Sequence, residues 1–388
     1  MKFHDTPKFP RGFRCASRNC GLKPTAKDIA LFASEVDAAA AAVFTRNKFP
    51  GAPVLLGRET IRAGVLRGVI VNTKVSNVAT GAAGLDHARR MAAATAVELG
   101  VDASRILVSS TGVIGAPLPI ERIERGIRGM GAELQDNPIV GAEGILTTDT
   151  HPKAVSLSVA DATITWVAKG SGMIEPNMAT MLAFIFTDAR FSAPELDRVL
   201  RAAVDLSFNM LTVDGDTSTS DTCAILANGL AGTVGTDEFL EALIAGSIRM
   251  TEVLARDGEG AQHLVRAIVR GARDNADARR IAKSLMNSPL VKTMVHGADP
   301  NVGRLLMAVG KCFDSAIQPA TTDAWINGHA VVKGGERMDF DEEVVRATLK
   351  SDVVEIVVSL GVGDATATAY GCDFTAGYIE ENAAYLSS

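Results

Sequence analysis

The chain has 388 residues, 47% of them hydrophobic and 22% charged, with a formal net charge of −6. At roughly 100–200 residues per domain this is enough for a large core or two lobes, and the composition is that of a soluble globular protein. The acidic balance, with no basic stripe carrying interleaved aromatics, argues against a nucleic-acid partner, and no apolar run approaches the roughly 18 residues of a membrane span.

In chain order, the opening M-K-F-H-D-T-P-K-F-P-R lacks the apolar segment of a signal peptide, so a cytoplasmic protein is expected. Cys15 and Cys20 follow. They belong to a set of five cysteines, an odd number spread thinly, which fits reduced thiols better than a disulfide framework. No second pair at zinc-site spacing accompanies them, and the six histidines show no ligand spacing, so no metal is expected. Residues 68–72 (G-V-I-V-N) and 105–109 (R-I-L-V-S) read as strands. Between them, 86–100 reads as a helix with Asp86 as N-cap and Gly100 past its last turn. Residues 181–186 form a short apolar run bounded by turn residues, the pattern of a strand buried on both faces. Ser192 and Glu195 have capping-box spacing, with Pro194 in the first turn. Further helices are predicted at 238–255, 277–286 and 341–349, and a strand at 353–360. The alternation, without repeat or linker, indicates α/β or α+β layers and leaves strand order open.

The most telling stretch is 169–189, K-G-S-G-M-I-E-P-N-M-A-T-M-L-A-F-I-F-T-D-A. It passes from a cationic Gly-rich loop to Thr180 at the mouth of a core strand, a good place for a nucleophile. Six other stretches join it: S-S-T-G-V-I-G (109–115), T-T-D-T (147–150), V-D-G-D-T-S-T-S-D (213–221), D-G-E-G (257–260), S-P-L-V-K-T (288–293) and G-A-D-P-N (297–301). In this order, over nearly the whole chain, they resemble the ornithine acetyltransferase family, also called glutamate N-acetyltransferase or ArgJ.

The resemblance implies layers of helix, sheet, sheet and helix, a DmpA/ornithine-acetyltransferase-like fold. A smaller C-terminal lobe would start near Asn275, leaving 1–274 as the catalytic lobe. It also implies self-cleavage between Ala179 and Thr180 into an α chain (1–179) and a β chain (180–388), assembled as α2β2 or larger. Thr180 would be the nucleophile, with Thr111 and Gly112 stabilising the oxyanion. Thr147, Lys169, Thr180, Glu259, Asn382 and Ser387 would contact an N-acetylated amino acid and an amino-acid acceptor, with no cofactor. The chemistry is self-consistent. A Thr hydroxyl needs a neighbouring base, and the α-amino group freed by cleavage, with a reference pKa of about 7.7–8.0, supplies one on the same residue. Lys169 suits a carboxylate, Glu259 an ammonium, and Thr147 a hydrogen bond. Each also has a plainer reading: a solvated lysine, a loop glutamate, a turn threonine, and for Thr111-Gly112 ordinary strand-to-loop punctuation.

Several positions depart from the family pattern. The terminal contact is Ser387 rather than Thr, and Glu380 and Glu381 precede Asn382. The loop 72–81 reads N-T-K-V-S-N-V-A-T-G, Gln262 and His263 follow D-G-E-G-A, and Val302 replaces a Trp. The V-A-T-G loop, Ser220 and His296 resemble a secondary-metabolism branch. The leading expectation is transfer of acetyl from N2-acetylornithine to L-glutamate through a Thr180 acyl-enzyme. The alternatives are a related N-terminal-nucleophile amidohydrolase, an acyltransferase for another amino acid, and a non-enzymatic module in which K-G-S-G nests an anion.

Overall fold

The computed structural model describes residues 1–175 and 181–383. Ala179, Thr180 and Ser387 therefore lie outside the described residues. The described chain forms two compact units, one of residues 1–170, 181–209 and 217–250, the other of 171–175, 210–216 and 251–383.

The first unit is organised by a nine-stranded sheet. The strand Leu182–Ala189, expected to be buried on both faces, is buried at every position. It lies between Ala162–Lys169, antiparallel, and Thr222–Gly232, parallel. The 16-residue strand Ile29–Phe44 then changes partners along its length. Its first part pairs with Phe13–Arg18 and Val65–Asn72, and its last part, from Ala39, with Thr222–Gly232. A register shift between Ala33 and Ala38 marks the bend, where an irregularity lets one strand serve two layers.

Side-chain alternation sorts the core. Ala30 and Phe32 enter a cluster with Phe184 and Phe186, while Ile29 and Leu31 enter another with Ala88, Met91 and Ile123. The Phe32 and Phe186 rings stack at 5.4 Å, joining the two sheet layers. Helix Gly81–Leu99 covers one outer face. On the other, Trp166 packs under Gly246 of helix Thr236–Arg256 and donates through Nε1 to Ser247 Oγ at 3.0 Å. The helix, sheet, sheet, helix layering matches the fold implied by the resemblance.

One helix start differs from the sequence reading. Gly81–Leu99 begins a turn or more before Asp86, with Thr80 at the N-cap position. The loop ahead of it is already tied to the first turn: Thr80 Oγ1 donates to Asn77 Oδ1 at 2.7 Å, and Asn77 Nδ2 donates to Gly84 O at 2.8 Å. Asp86 is therefore an interior helix residue. Gly100 closes the helix at φ 63°, as its position predicts. The Ser192–Glu195 capping box is present at the start of Ala193–Leu206.

The second unit is built on a six-stranded sheet that includes Leu264–Ala272, Val353–Ser359 and Ala365–Cys372. Leu264–Ala272 pairs with both of the others, so this unit starts ahead of Asn275. Its helices carry their own caps, and two of the sequence motifs supply them. Ser288 Oγ accepts from Val291 N, and Asn301 accepts from Arg304 N. Among the described residues, no helix is long and apolar enough to cross a membrane.

Candidate active site

Thr111 and Gly112 follow the strand Ile106–Ser110, which runs parallel to Val65–Asn72. The two strands end together, and their loops are stitched to each other. Thr111 N donates to Asn72 O at 3.0 Å, Val113 N to Lys74 O at 2.9 Å, and Asn77 N to Ser110 Oγ at 2.9 Å. Gly112 has φ 125°, and a Cβ there would collide with the backbone of Lys74. No other residue fits that position without moving the facing loop. A rigid T-G turn is what pre-aimed oxyanion donors require.

Thr147 and Lys169 meet at a residue the sequence reading left unassigned, Asp149. Its Oδ1 accepts from Lys153 Nζ at 2.6 Å and from Gly170 N at 2.7 Å. Its Oδ2 accepts from Thr147 N at 3.0 Å and lies 3.9 Å from Lys169 Nζ. Burial alone would raise this carboxyl, but Lys169, Lys153 and the hydrogen bonds outweigh it and hold the group well below the ordinary carboxylate range. Lys169 is only 8% exposed, so the solvated-lysine reading fails. Lys23, half-buried nearby, has its ammonium pulled down by desolvation, with Asp28 and Asp149 opposing and Lys169 and Lys74 adding to the shift. The neighbourhood holds four lysines, Lys23, Lys74, Lys153 and Lys169, against Asp149 and Asp28, and is electropositive. The T-T-D-T motif followed by Lys153 was the available signal for Asp149.

Asp221 sits at the head of the strand parallel to Leu182–Ala189, where Thr222 N donates to Met181 O at 3.1 Å. Its side chain is buried, and among the described residues Oδ2 has no hydrogen-bond partner. Burial drives its carboxyl far above the ordinary range, against the opposing pull of hydrogen bonds and Lys169. A carboxyl with a raised pKa thus stands beside Met181, one peptide bond beyond Thr180 in sequence.

In the second unit, Asn382 Nδ2 donates to Glu259 Oε2 at 2.7 Å, bringing two predicted contact residues together. Asn382 also donates to Tyr378 O on its own helix, Ala376–Ala383. The Tyr378 hydroxyl donates to Asp214 Oδ2 at 3.3 Å, and burial plus the charges of Asp214 and Glu259 push its phenol upward. This is an electronegative environment, suited to a cation. The K-G-S-G-M-I loop directs its N–H groups at protein carboxylates: Gly170 at Asp149, Met173 and Ile174 at Asp214. Those donors are committed within the protein, which argues against an anion nest.

The departures from the family pattern also fall into groups. Ser76 of the V-A-T-G loop shares a hydrogen bond with Ser220 at 2.9 Å. Gln262 N and His263 N both donate to Asp373 Oδ1, and His296 Nδ1 lies 3.4 Å from Asp373 Oδ2. Among the described residues, no three His, Cys, Asp or Glu side chains converge as metal ligands.

A profile of the ArgJ family matches residues 14–387. The chain belongs to the ArgJ family. It is similar to an arginine biosynthesis bifunctional protein ArgJ 2 from Clostridium acetobutylicum, at 43% identity over 378 residues and 97% of each chain. It is likewise 43% identical over 389 residues to the glutamate N-acetyltransferase Oat2 of Streptomyces clavuligerus, covering 98% of this chain and 99% of the relative. The crystal structure of the arginine biosynthesis bifunctional protein argJ from Bacillus halodurans superposes with a TM-score of 0.52 at 39% identity. It covers 53% of this chain and 100% of that one. Membership of the ArgJ family agrees with the fold and with the order of the motifs.

Proposed function

We propose that this protein is a self-processing acyltransferase that moves acetyl from N2-acetylornithine to L-glutamate by a ping-pong mechanism. The Thr180 hydroxyl attacks the Ala179 carbonyl, and hydrolysis of the resulting ester leaves residues 1–179 and 180–388 as separate chains, assembled as α2β2 or larger in the cytoplasm. The new α-amino group of Thr180 then takes the hydroxyl proton as Oγ1 attacks the donor's acetyl carbonyl. The Thr111 side chain and the Gly112 N–H receive the negative charge that develops on the carbonyl oxygen, where one donor contributes about 3–4 kcal/mol to lowering the barrier. Ornithine leaves, and the acetyl ester on Thr180 passes to the amine of glutamate.

The observation that carries this reading is the Asp149 clamp. It fixes Lys169, at the end of the strand entering the junction, beside Thr147 in an electropositive setting. Lys169 takes the substrate carboxylate, and Glu259, steadied by Asn382, takes the terminal ammonium. Ser387 supplies a hydroxyl to the same substrate.

The test is intact mass with N-terminal sequencing, joined to product analysis. A fragment beginning Thr180-Met181-Leu182-Ala183 is expected, with N-acetylglutamate appearing in step with ornithine. Thr180→Ala abolishes both. Ornithine and acetate released without regard to glutamate would replace transfer with hydrolysis. A second reading, transfer to or from another amino acid, is favoured by one observation: Gln262, His263 and His296 share Asp373 just beyond Glu259. It stands if both standard substrates fail with processed enzyme.

A further inference from the structure

Residues Ser171–Glu175 are the last described residues before the proposed cleavage point, and they belong to the second unit. They are held there along their whole length. Ser171 O accepts from Glu259 N at 3.0 Å, and Ser171 Oγ donates to Asp257 O at 2.7 Å. Asp214 accepts from Met173 N and Ile174 N at 2.7 and 2.9 Å. Ile174 O accepts from Val213 N at 2.8 Å, and Glu175 N donates to Asp216 O at 3.0 Å. Glu175 also pairs with Lys283 at 3.1 Å and accepts from Asn287 Nδ2 at 2.8 Å. Ile174 itself is fully buried.

Gly172 is the second residue of this strap. Its backbone is not in the left-handed region, so conformation alone would admit an alanine there. Space does not: a Cβ on Gly172 would fall inside the van der Waals envelope of all three carboxylate atoms of Glu259. What it would meet is the far end of a side chain, which can swing aside, and not backbone. An added methyl would therefore displace the carboxylate and leave the fold standing.

We propose that the Ser171–Glu175 strap is the positioning element for the Glu259 carboxylate, with Gly172 the specificity-determining position that leaves room for it. The strap fixes Glu259 from the backbone side through Ser171, Asn382 fixes it from the other side, and the space left by Gly172 sets where the negative charge stands. After cleavage the strap would be the tail of the α chain, so one chain would tune a substrate contact carried by the other. This inference rests on the reading of Glu259 as the partner of the donor's terminal ammonium.

The test is Gly172→Ala in the full-length precursor. Processing to the two fragments is expected to match wild type. KM for N2-acetylornithine should rise about tenfold with kcat within about twofold, the signature of lost ground-state binding. N-acetylnorvaline, which lacks the terminal ammonium, should show no such rise. In the double variant Gly172→Ala/Glu259→Asp, the acid is shorter by one methylene, and KM for the cationic donor should recover at least threefold. An unchanged KM in processed Gly172→Ala, or an equal loss with both donors, overturns the proposal. If Gly172→Ala fails to process, restoration of cleavage by the double variant supports the contact and its absence overturns it. Wild-type protein inert toward the acetylated donor would instead overturn the functional reading. Calorimetric binding of ornithine, weakened by Gly172→Ala and recovered in the double variant, then decides the strap separately.

Discussion

Asp149 and Asp221 are both buried aspartates of the first unit, yet their surroundings push them in opposite directions. Lys169, Lys153 and backbone N–H groups hold the Asp149 carboxyl below its ordinary range; at Asp221 burial outweighs the hydrogen bonds and Lys169 and holds the carboxyl well above it. Their linkage to stability has opposite sign. A depressed carboxyl contributes stability that is present above its ordinary value of 3.8 and is lost as pH falls toward the folded value. Asp149→Asn also breaks the buried pair that Lys153 Nζ makes with Asp149 Oδ1 at 2.6 Å, and breaking such a pair costs about 3–5 kcal/mol. Its Tm should fall well below wild type at pH 7, with the gap narrowing in acid. A raised carboxyl works the other way: the folded state is penalised increasingly as pH rises above 3.8. Asp221→Asn, which keeps the shape and removes the ionisable proton, should raise Tm at pH 7 by a few degrees, at roughly 2–4 °C per kcal/mol. The gain should vanish near pH 4. Thermal melts across pH check both, and a wild-type advantage over Asp221→Asn at neutral pH would refute the raised carboxyl at Asp221.

At the scale of elements, the well-punctuated segments were legible in the sequence. Ser192 and Glu195 form the expected capping box, and Gly100 ends its helix. Ser192→Ala removes the side-chain half of the box, with the Oγ bond to Glu195 Oε2, and keeps the residue 192 N–H that donates to the same carboxylate. It should cost about 1 kcal/mol, read as a shift in denaturant midpoint without change in slope. The error at Asp86 has a physical cause: an acidic residue before an apolar run signals a cap only when no earlier loop has begun the turn, and here Asn77 and Thr80 have. Asp149 was harder to assign. Lys153 is four residues on and visible in the spacing, but Lys169 and Gly170 reach Asp149 from the end of the next strand, a proximity that pairing creates and spacing does not encode. Gly172 carried a sequence signal, but its neighbour Glu259 is far along the chain, so only the fold reveals what occupies the space.

At the scale of the whole molecule, the proposed cleavage would cut between two strands of one continuous sheet. In the first unit, Leu182–Ala189 from the β chain pairs with Ala162–Lys169 from the α chain, while Ile29–Phe44 from the α chain pairs with Thr222–Gly232 from the β chain. The two β-chain strands therefore lie side by side with α-chain strands on both flanks, and the aromatic cluster of Phe32, Phe184 and Phe186 draws on both chains. In the second unit, the Ser171–Glu175 strap adds a run of hydrogen bonds from the α chain to β-chain residues. Burial of apolar side chains at about 25 cal/mol per Å² favours association strongly over so interleaved a sheet. Processed protein should accordingly elute from size exclusion at the same volume as the uncut Thr180→Ala precursor, although a denaturing gel resolves two bands for one and a single band for the other. Denaturant should release the two chains only in the transition that unfolds the first unit. Separation of the chains in native buffer would mean that the strand pairing between them is not what holds the sheet together.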